Sequence, residues 1–584
     1  MEADLNKLLA TNFSPAQLRA SIVASLRESE PRCLKRSTET LAELLVTLGK
    51  DTSQVPPDEY FVTDDADSVY LRSMSYFNKR EYDRAAHFAK GSVQPRTRFI
   101  YFYARYQSAE TKRVDGLAEA VSSLSEQRAK DRQLKALYWD LKDEQKALDG
   151  YCLYLYGVVQ RLLGLESGAI ETLEAALRLE PNLWAAWAEL SLLVASRDQL
   201  FKLSVPCSWL LLMFTGLALT KVDSSDPLVL KVYHKLDSLF PNCPYVLTRI
   251  AYAQRALSST SLETAKQYYE RVRAIDPCRL EGMDTYSELL YIEGKRQELT
   301  NLAQQLHAVD PQRAETCAVI GNVYSLREQH APALLYFKKA MKISINYGPA
   351  WTLMGHEYSL IKNINAAIQC YHQAVEIDKC DHRAWCSLSL MYDQLKMHHY
   401  AVYYQKKALK LQPRCPKMLV ALGERLEKVA KIDEAKSLYW KAHLLALEKQ
   451  TAHDSLALFK LGKLFQSSGE PVKARAALED FIKLSLNVKE IPDVRKNDRE
   501  LATATLYLFG YYVNRDPPEA ARLLNLAKDF RSVRDADLQP LREKLQPLPG
   551  PSGEESSTPL NPSVVLVDMT DDSDIVVVQP RSDS

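Results

Sequence analysis

The chain has 584 residues, of which 46% are hydrophobic, 26% are charged and only 19 are glycine. This composition predicts a folded, mainly helical protein that is too long for a single hydrophobic core. Because 75 Lys and Arg residues balance 74 Asp and Glu residues, no overall field favours binding to nucleic acid or to a membrane surface.

The N-terminal 245 residues show helical patterning but weak repetition. Residues 1–65 are predicted to be an N-terminal helical segment outside any repeat, and residues 66–245 to be degenerate repeats. Tyr76 followed by Ala85 marks one unit, and Gly157 followed by Ala169 marks another. The spacing breaks in residues 195–215, around Pro206, where we expect a bend or an extra turn.

Residues 246–447 contain one 34-residue frame six times without insertion or deletion, which is the period of tetratricopeptide repeats. The repeats start at Val246, Leu280, Ala314, Gly348, His382 and Pro416. Every eighth position is small, namely Ala253, Ser287, Gly321, Gly355, Ser389 and Gly423, and four of the twenty-fourth positions are aromatic, namely Tyr269, Phe337, Tyr371 and Tyr439. A small residue lets two antiparallel helices approach, and the aromatic ring fills the remaining gap. The Leu280 repeat is a divergent member.

The C-terminal part loses this register. Residues 448–545 are predicted to be degenerate repeats, with Gly462 and Gly510 at the small position of two units. Residues 546–584 are predicted to be a disordered acidic tail with valine-rich runs, because the Pro, Gly, Ser and acidic residues at its start cannot bury a core. The fold class is therefore all-α, a tetratricopeptide-repeat α-solenoid superhelix with a disordered C-terminal tail. Its concave face, built from the first helix of each repeat, should bind peptides or partner helices.

No motif for catalysis is found. The sequence has no phosphate-binding loop, metalloprotease helix or nucleophile elbow, so we expect no enzyme activity, cofactor or metal. The ten cysteines form no CxxC pair and no secretory segment opens the chain, which favours the nucleus and cytoplasm. The apolar run after Trp209 is shorter than the roughly 20 residues that span a bilayer, so no membrane association is expected.

Polar residues that follow the small eighth position are candidates for the concave face. Asn322 follows Gly321, and Glu357 lies two residues after Gly355. An amide and a carboxylate would suit an arginine-bearing peptide, because a guanidinium can donate two parallel hydrogen bonds. The alternative is that these residues are solvated or bond a neighbouring repeat. A clamp for a chaperone's C-terminal carboxylate is disfavoured, since Ala318 and Leu353 stand where lysine and asparagine are needed.

Two β-branched runs in the tail form a second candidate site. They consist of Val564, Val565, Leu566 and Val567, and of Ile575, Val576, Val577 and Val578, with acidic residues between them. Such runs are typical of SUMO-interacting motifs, which add a strand to a sheet edge of the small modifier SUMO. The alternative is that the segment docks on the protein's own array or on a neighbouring subunit.

Five segments resemble, in order, the subunit-eight family of the anaphase-promoting complex, a family of tetratricopeptide-repeat proteins. They are residues 81–88, 153–159, 320–327, 352–358 and 418–424. The resemblance runs from about residue 65 to about residue 450. The N-terminal 60 residues and the tail do not show it.

The resemblance implies a non-catalytic scaffold subunit of a cullin and RING ubiquitin ligase that marks mitotic cyclins and securin. It implies a homodimer formed through the N-terminal repeats (residues 66–245), contacts with other repeat subunits, and a groove for the arginine-containing box of a coactivator of the Cdc20/Cdh1 type. Asn322 and Glu357 lie in the matching segments and are predicted to contact that arginine. A sibling repeat subunit of the same ligase and a chaperone adaptor remain alternatives. A glycosyltransferase is disfavoured, because the residues beyond the repeats are too few for a transferase domain.

Overall fold

A computed structural model describes residues 1–11, 13–48, 68–118, 124–223, 226–257, 262–344, 347–449, 455–487, 498–513 and 515–527. Throughout these ranges the regular secondary structure is helical and no strand is found. The predicted all-α repeat class is confirmed. The predicted disordered tail, with both valine-rich runs, lies outside the described residues.

The helices up to the first in-frame repeat are α1 (Glu2–Ala10), α2 (Pro15–Ser29), α3 (Lys35–Thr47), α4 (Ser68–Asn78), α5 (Tyr82–Ala89), α6 (Pro95–Ala118), α7 (Leu124–Asp143), α8 (Gly150–Leu162), α9 (Glu166–Leu179), α10 (Trp184–Leu193), α11 (Arg197–Lys202), α12 (Leu210–Val222) and α13 (Pro227–Leu239). The six in-frame repeats contain α14 (Pro244–Leu257), α15 (Leu262–Ile275), α16 (Met283–Ile292), α17 (Arg296–Val309), α18 (Ala314–Leu326), α19 (His330–Ile343), α20 (Gly348–Leu360), α21 (Ile364–Ile377), α22 (His382–Gln394), α23 (His398–Leu411), α24 (Pro416–Lys428) and α25 (Ile432–Lys449). The remaining helices are α26 (Ser455–Ser467), α27 (Pro471–Asn487), α28 (Asp498–Tyr512) and α29 (Pro517–Ala527).

Helix pairing follows the 34-residue frame. The first helices of the last four repeats begin at the residues where the frame starts, and each is followed after a short turn by the second helix of its pair. Short turns of this kind join antiparallel neighbours. The helices that precede the frame also pair, α4 with α5 and α8 with α9, and so do α26 and α27 beyond it.

The pairs are held together by the small-against-large contact that the spacing predicts. A Cβ atom placed on Gly321 would lie 2.3 Å from the ring of Phe337, and one placed on Gly423 would lie 2.6 Å from the ring of Tyr439. Both rings are fully buried. No side chain fits between the helices at these crossings, so glycine at the eighth position permits the close approach.

The turn inside each pair is also uniform, although its sequence is not. The fifteenth residue of the second to sixth repeats has a positive φ angle, and these residues are Gly294, Glu328, Lys362, Lys396 and Ala430. At Lys362 the next amide, that of Asn363, donates to the carbonyl of Tyr358 at 2.8 Å, and the Lys362 amide donates to that of Ser359 at 3.0 Å. This pair of bonds is the Schellman arrangement that ends a helix with a left-handed residue. It sets the direction in which the second helix returns.

The N-terminal helices α1–α3 lie against the first helices of later units. The Ser21 hydroxyl donates to the Asn182 side-chain oxygen at 3.1 Å and accepts from the Trp209 indole at 3.1 Å. Arg279, in the first in-frame repeat, pairs with Glu43 of α3 at 2.9 Å. The break predicted in residues 195–215 contains the six-residue helix α11 and an extended stretch before α12. Helices α1–α3 are therefore part of the array's core and are not an appendage.

Contacts divide the chain into a unit of residues 1–492 and a unit of residues 493–584. In the second unit, the described residues form the pair α28 and α29 around Phe509, Ala520 and Leu524. Across the described part of the chain, no helix is both long enough and apolar enough to cross a membrane.

Candidate functional site

Asn322 is buried at the junction of two repeats. Only 3% of the residue is exposed. Its side-chain amide donates to the hydroxyl of Ser287, the small eighth position of the preceding repeat, at 2.8 Å. The structure therefore places Asn322 in an inter-repeat hydrogen bond, which is the alternative that the sequence left open.

Glu357 has a similar position one repeat later and is also 3% exposed. One carboxylate oxygen accepts a hydrogen bond from Ser325, and the other is 2.8 Å from Nδ1 of His330. Both partners belong to the preceding repeat. The side chain of His330 is 33% exposed and Ser325 only 6%, so His330 is the more exposed of the two partners.

His356 and Glu424, which also follow small positions, are bonded as well, His356 within its own repeat and Glu424 to the next unit. Nδ1 of His356 lies 2.8 Å from the hydroxyl of Tyr371, and burial lowers the pKa of this histidine. Glu424 pairs with Lys460 of the next unit at 3.0 Å. Asn322, Glu357 and Glu424, at position nine or ten of their repeats, thus serve inter-repeat bonding, whereas His356 bonds within its repeat.

A polar cluster that the sequence did not indicate lies on the first helices α14, α16 and α22. Glu288 accepts from Nη2 of Arg255 at 2.6 Å, and Nη1 of Arg383 lies 2.7 and 2.9 Å from its two oxygens. Burial opposes ionisation of Glu288, but the two guanidinium groups hold the pKa of its carboxyl below the usual range. One helical turn earlier, Asp284 accepts from the hydroxyl of Tyr347 at 2.8 Å.

A cavity of about 930 Å³ lies between the N-terminal helices and the fourth in-frame repeat. Its aromatic lining consists of Phe77, Tyr82, Tyr103, Tyr106, Tyr154 and Trp351. Its charged lining consists of Lys35, Arg36, Glu110, Arg161, Glu189 and Glu376. The hydroxyl of Ser37 and the indole nitrogen of Trp351 find no hydrogen-bond partner among the described residues.

The cavity combines the two kinds of lining that ligand-binding pockets have. Aromatic walls bury apolar side chains, while a few polar groups fix orientation. Burial raises the pKa of Tyr103 and Tyr106, so both keep neutral phenols that can donate hydrogen bonds. A sequence signal for this pocket existed in the tyrosine-rich stretches 101–106 and 151–156, but a degenerate frame does not show that these stretches face one cavity.

The described residues include no group of His, Cys, Asp or Glu side chains arranged to hold a metal ion. Val564, Val565, Leu566, Val567, Ile575, Val576, Val577 and Val578 lie outside the described residues.

The comparisons with known proteins agree with the resemblance predicted above. Residues 17–251 match the family model described as anaphase promoting complex subunit 8 / Cdc23. Residues 348–379, 382–415 and 456–484 match tetratricopeptide-repeat models. The N-terminal limit predicted from the sequence was wrong, because the match begins about 48 residues before residue 65. Helices α2 and α3 lie in this stretch and belong to the array's core.

Curated relatives carry the same names. The chain is 34% identical over 358 residues to anaphase-promoting complex subunit 8 of Arabidopsis thaliana, covering 61% of this chain and 60% of the relative. It is 37% identical over 280 residues to the cell division cycle protein 23 homolog of Mus musculus, covering 47% of each. The matches thus span between about half and three fifths of these relatives. A crystal structure of the APC/C hetero-tetramer Cut9-Hcn1 superposes with a TM-score of 0.47 at 18% identity, covering 82% of this chain and 96% of that chain.

Proposed function

We propose that this chain is a scaffold subunit of an anaphase-promoting-complex-type ubiquitin ligase, holding other subunits and performing no chemistry itself. The observation that carries the proposal is the subunit-eight family match over residues 17–251, in a chain whose helices form a repeat array. Repeat arrays present long binding surfaces because each unit adds a helix to a shared face. The ligase then ubiquitinates mitotic cyclins and securin through its other subunits, in the nucleus and cytoplasm.

Affinity purification followed by native mass spectrometry tests this membership. A tagged full-length chain should recover cullin and RING subunits in fixed stoichiometry, and the tag alone should recover neither. Recovery of chaperones without a cullin would replace the proposal with the chaperone-adaptor alternative. Crosslinks that place the chain at the position of another repeat subunit would favour the sibling alternative.

The coactivator contact is the second part of the proposal. The arginine of a coactivator's box would bind Glu357 by displacing His330, whose partly exposed imidazole is the outermost partner of the carboxylate. Asn322 would support that site from the preceding repeat. Binding of the arginine is favoured because the single hydrogen bond from His330 to the carboxylate would be replaced by a bidentate pair from the guanidinium.

The 930 Å³ cavity is a second location for the same ligand. The cavity suits an extended peptide segment of the coactivator, because it has room for side chains. Glu357 and Asn322, in contrast, are buried and already bonded. Glu376 is exposed at the cavity's lining and offers a carboxylate to an arginine. Variants at Glu357 and at Glu376 therefore distinguish between these two candidate binding sites for the coactivator's arginine.

Homodimerisation and SUMO binding complete the proposal. Dimer formation would use the N-terminal repeats, whose first helices already carry α1–α3 on their surface. SUMO would bind the valine-rich runs of the tail by strand addition.

A further inference from the structure

Arg383 and Glu288 are 95 residues apart in the chain and are joined by two short contacts. Nη1 of Arg383 lies 2.7 Å from one Glu288 oxygen and 2.9 Å from the other. Both side chains are mostly shielded, with 32% of the arginine and 13% of the glutamate exposed. The pair therefore interacts in a medium of lower dielectric than open solvent.

This contact skips two repeats. Glu288 lies on the first helix of the second in-frame repeat, and Arg383 on the first helix of the fifth. In a solenoid each repeat ordinarily contacts only its neighbours, so its pitch is set by small rotations at successive interfaces. Ion pairs such as Lys266 with Glu298 and Lys436 with Glu470 follow that rule, since each joins adjacent units. The Arg383 contact instead closes a ring that includes the third and fourth repeats.

Both ends of the contact are held in place. Asp381 accepts from Nε of Arg383 at 3.1 Å and from the hydroxyl of Thr352 at 3.2 Å. Arg255 donates to Glu288 at 2.6 Å from the preceding repeat. The planar guanidinium thus bridges two carboxylates with fixed directions, which a flexible single-point cation could not do.

A second polar contact starts from the same face of α16. Asp284 precedes Glu288 by four residues, so both side chains lie on one side of the helix. It accepts from the hydroxyl of Tyr347, 63 residues further on, at 2.8 Å. Two side chains of α16 therefore bond to later repeats, Asp284 to the end of the third and Glu288 to the fifth.

We propose that the Glu288–Arg383 pair is a cross-groove latch that sets the superhelical pitch between the second and fifth in-frame repeats. With the latch closed, the concave faces of α16 and α22 are held together. With the latch open, the pitch relaxes to the value that the three nearest-neighbour interfaces prefer, and the concave face widens.

The test measures a distance in the full-length chain by electron–electron double resonance. Spin labels are carried on noncanonical amino acids at Gln297 and His399, two exposed residues at the eighteenth position of the second and fifth repeats. Arg383→Met removes the latch but leaves Glu288 paired with Arg255, so no buried carboxylate loses every partner. We expect the distance distribution to shift to longer values and to broaden. An unchanged distribution in folded protein overturns the proposal.

Two further variants keep the result interpretable. Glu288→Gln weakens the latch from the other side and should shift the distance in the same direction, which covers the case in which Arg383→Met does not fold. Lys436→Met removes an ion pair between adjacent units and should leave the Gln297–His399 distance unchanged. If Lys436→Met shifts the distance as much as Arg383→Met, general loosening explains the effect and the latch is rejected.

Discussion

Gly355 lies so close to Tyr371 that a Cβ atom on the glycine would be 2.5 Å from the ring's Cε1 atom. The ring is 1% exposed, and its hydroxyl is bonded to His356, so it has little freedom to move. We predict that Gly355→Ala destabilises the array. Overpacking costs about 1–3 kcal/mol, and the better helix propensity of alanine offsets only about 1 kcal/mol of it. The free energy of unfolding by urea should fall by up to about 2 kcal/mol.

Gly510 is the matched control, because it lies inside α28 and a Cβ atom there meets nothing within 4 Å. Gly510→Ala should be neutral or stabilising by up to about 1 kcal/mol. Equal effects of the two substitutions would contradict the close-approach explanation.

Acidification should destabilise the fourth and fifth repeats, because the folded chain resists protonation of His382. Burial, together with nearby Arg383, lowers the pKa of His382 from its usual 6.5 to about 4. Between these values the unfolded chain binds the proton and the folded chain does not, so stability falls as pH decreases from about 6.5 to 4. The loss is at most about 3 kcal/mol, at 1.36 kcal/mol for each pH unit between the two pKa values. His382 is partly exposed, which makes this figure an upper bound.

Thermal melting between pH 7 and pH 4.5 measures this effect. His382→Gln should flatten the dependence of the melting temperature on pH, whereas His399→Gln, which removes an exposed imidazole, should leave the slope as it is. A wild-type slope in His382→Gln would show that other groups carry the acid sensitivity.

Glu357→Gln is the sharper test of the coactivator contact than a change to lysine. Lysine would bury an ammonium beside His330 and remove the acceptor of Ser325, so a loss of binding could reflect misfolding. Glutamine keeps an acceptor oxygen and the shape but removes the charge. A charge-assisted bond is worth about 1.5–3 kcal/mol, so the affinity for an arginine-box peptide, measured by fluorescence anisotropy, should fall at least about tenfold.

Glu376→Gln tests the cavity in the same assay. If Glu357 receives the arginine, Glu376→Gln should leave the affinity unchanged, and Asn322→Ala should weaken it. The reverse pattern would indicate that the peptide binds in the 930 Å³ cavity. A peptide with its arginine replaced by alanine should bind all variants equally weakly.

Light scattering on the full-length chain tests the homodimer. We predict a mass of twice 66.3 kDa at micromolar concentration. A fragment of residues 1–245 is a poorer sample, because the Arg279–Glu43 pair and the contacts of α3 with α14 connect it to later residues. A mass of one chain across the concentration range would contradict the prediction.

The tail prediction is tested with a peptide of residues 562–580. Titration into isotope-labelled SUMO should shift resonances along one sheet edge, because strand addition uses the modifier's unpaired backbone groups. A peptide with Val576→Ala and Val577→Ala should bind more weakly. Absence of shifts at millimolar peptide would exclude the SUMO interaction.

Much of the fold could be predicted because its rule is local. The 16-residue spacing of Gly355 and Tyr371 places both on facing sides of one helix pair, and this needs only the helical period. The backbone conformation of the turns within the repeats could not be predicted from the sequence pattern. Glu328, Lys362, Lys396 and Ala430 take the left-handed conformation that usually marks glycine, because the packed helices impose it at a cost that sequence patterns do not show.

The sequence by itself determined the repeat, its register and the small-against-large packing, since each depends on residues within one helix pair. The tertiary structure decided which polar groups are buried and which meet. Asn322 and Glu357 look alike from sequence as groove residues, yet each is bonded to the preceding repeat. Arg383 meets Glu288 only because the accumulated rotation of three repeat interfaces brings their helices together. That rotation is a property of the whole array and not of any 34-residue segment.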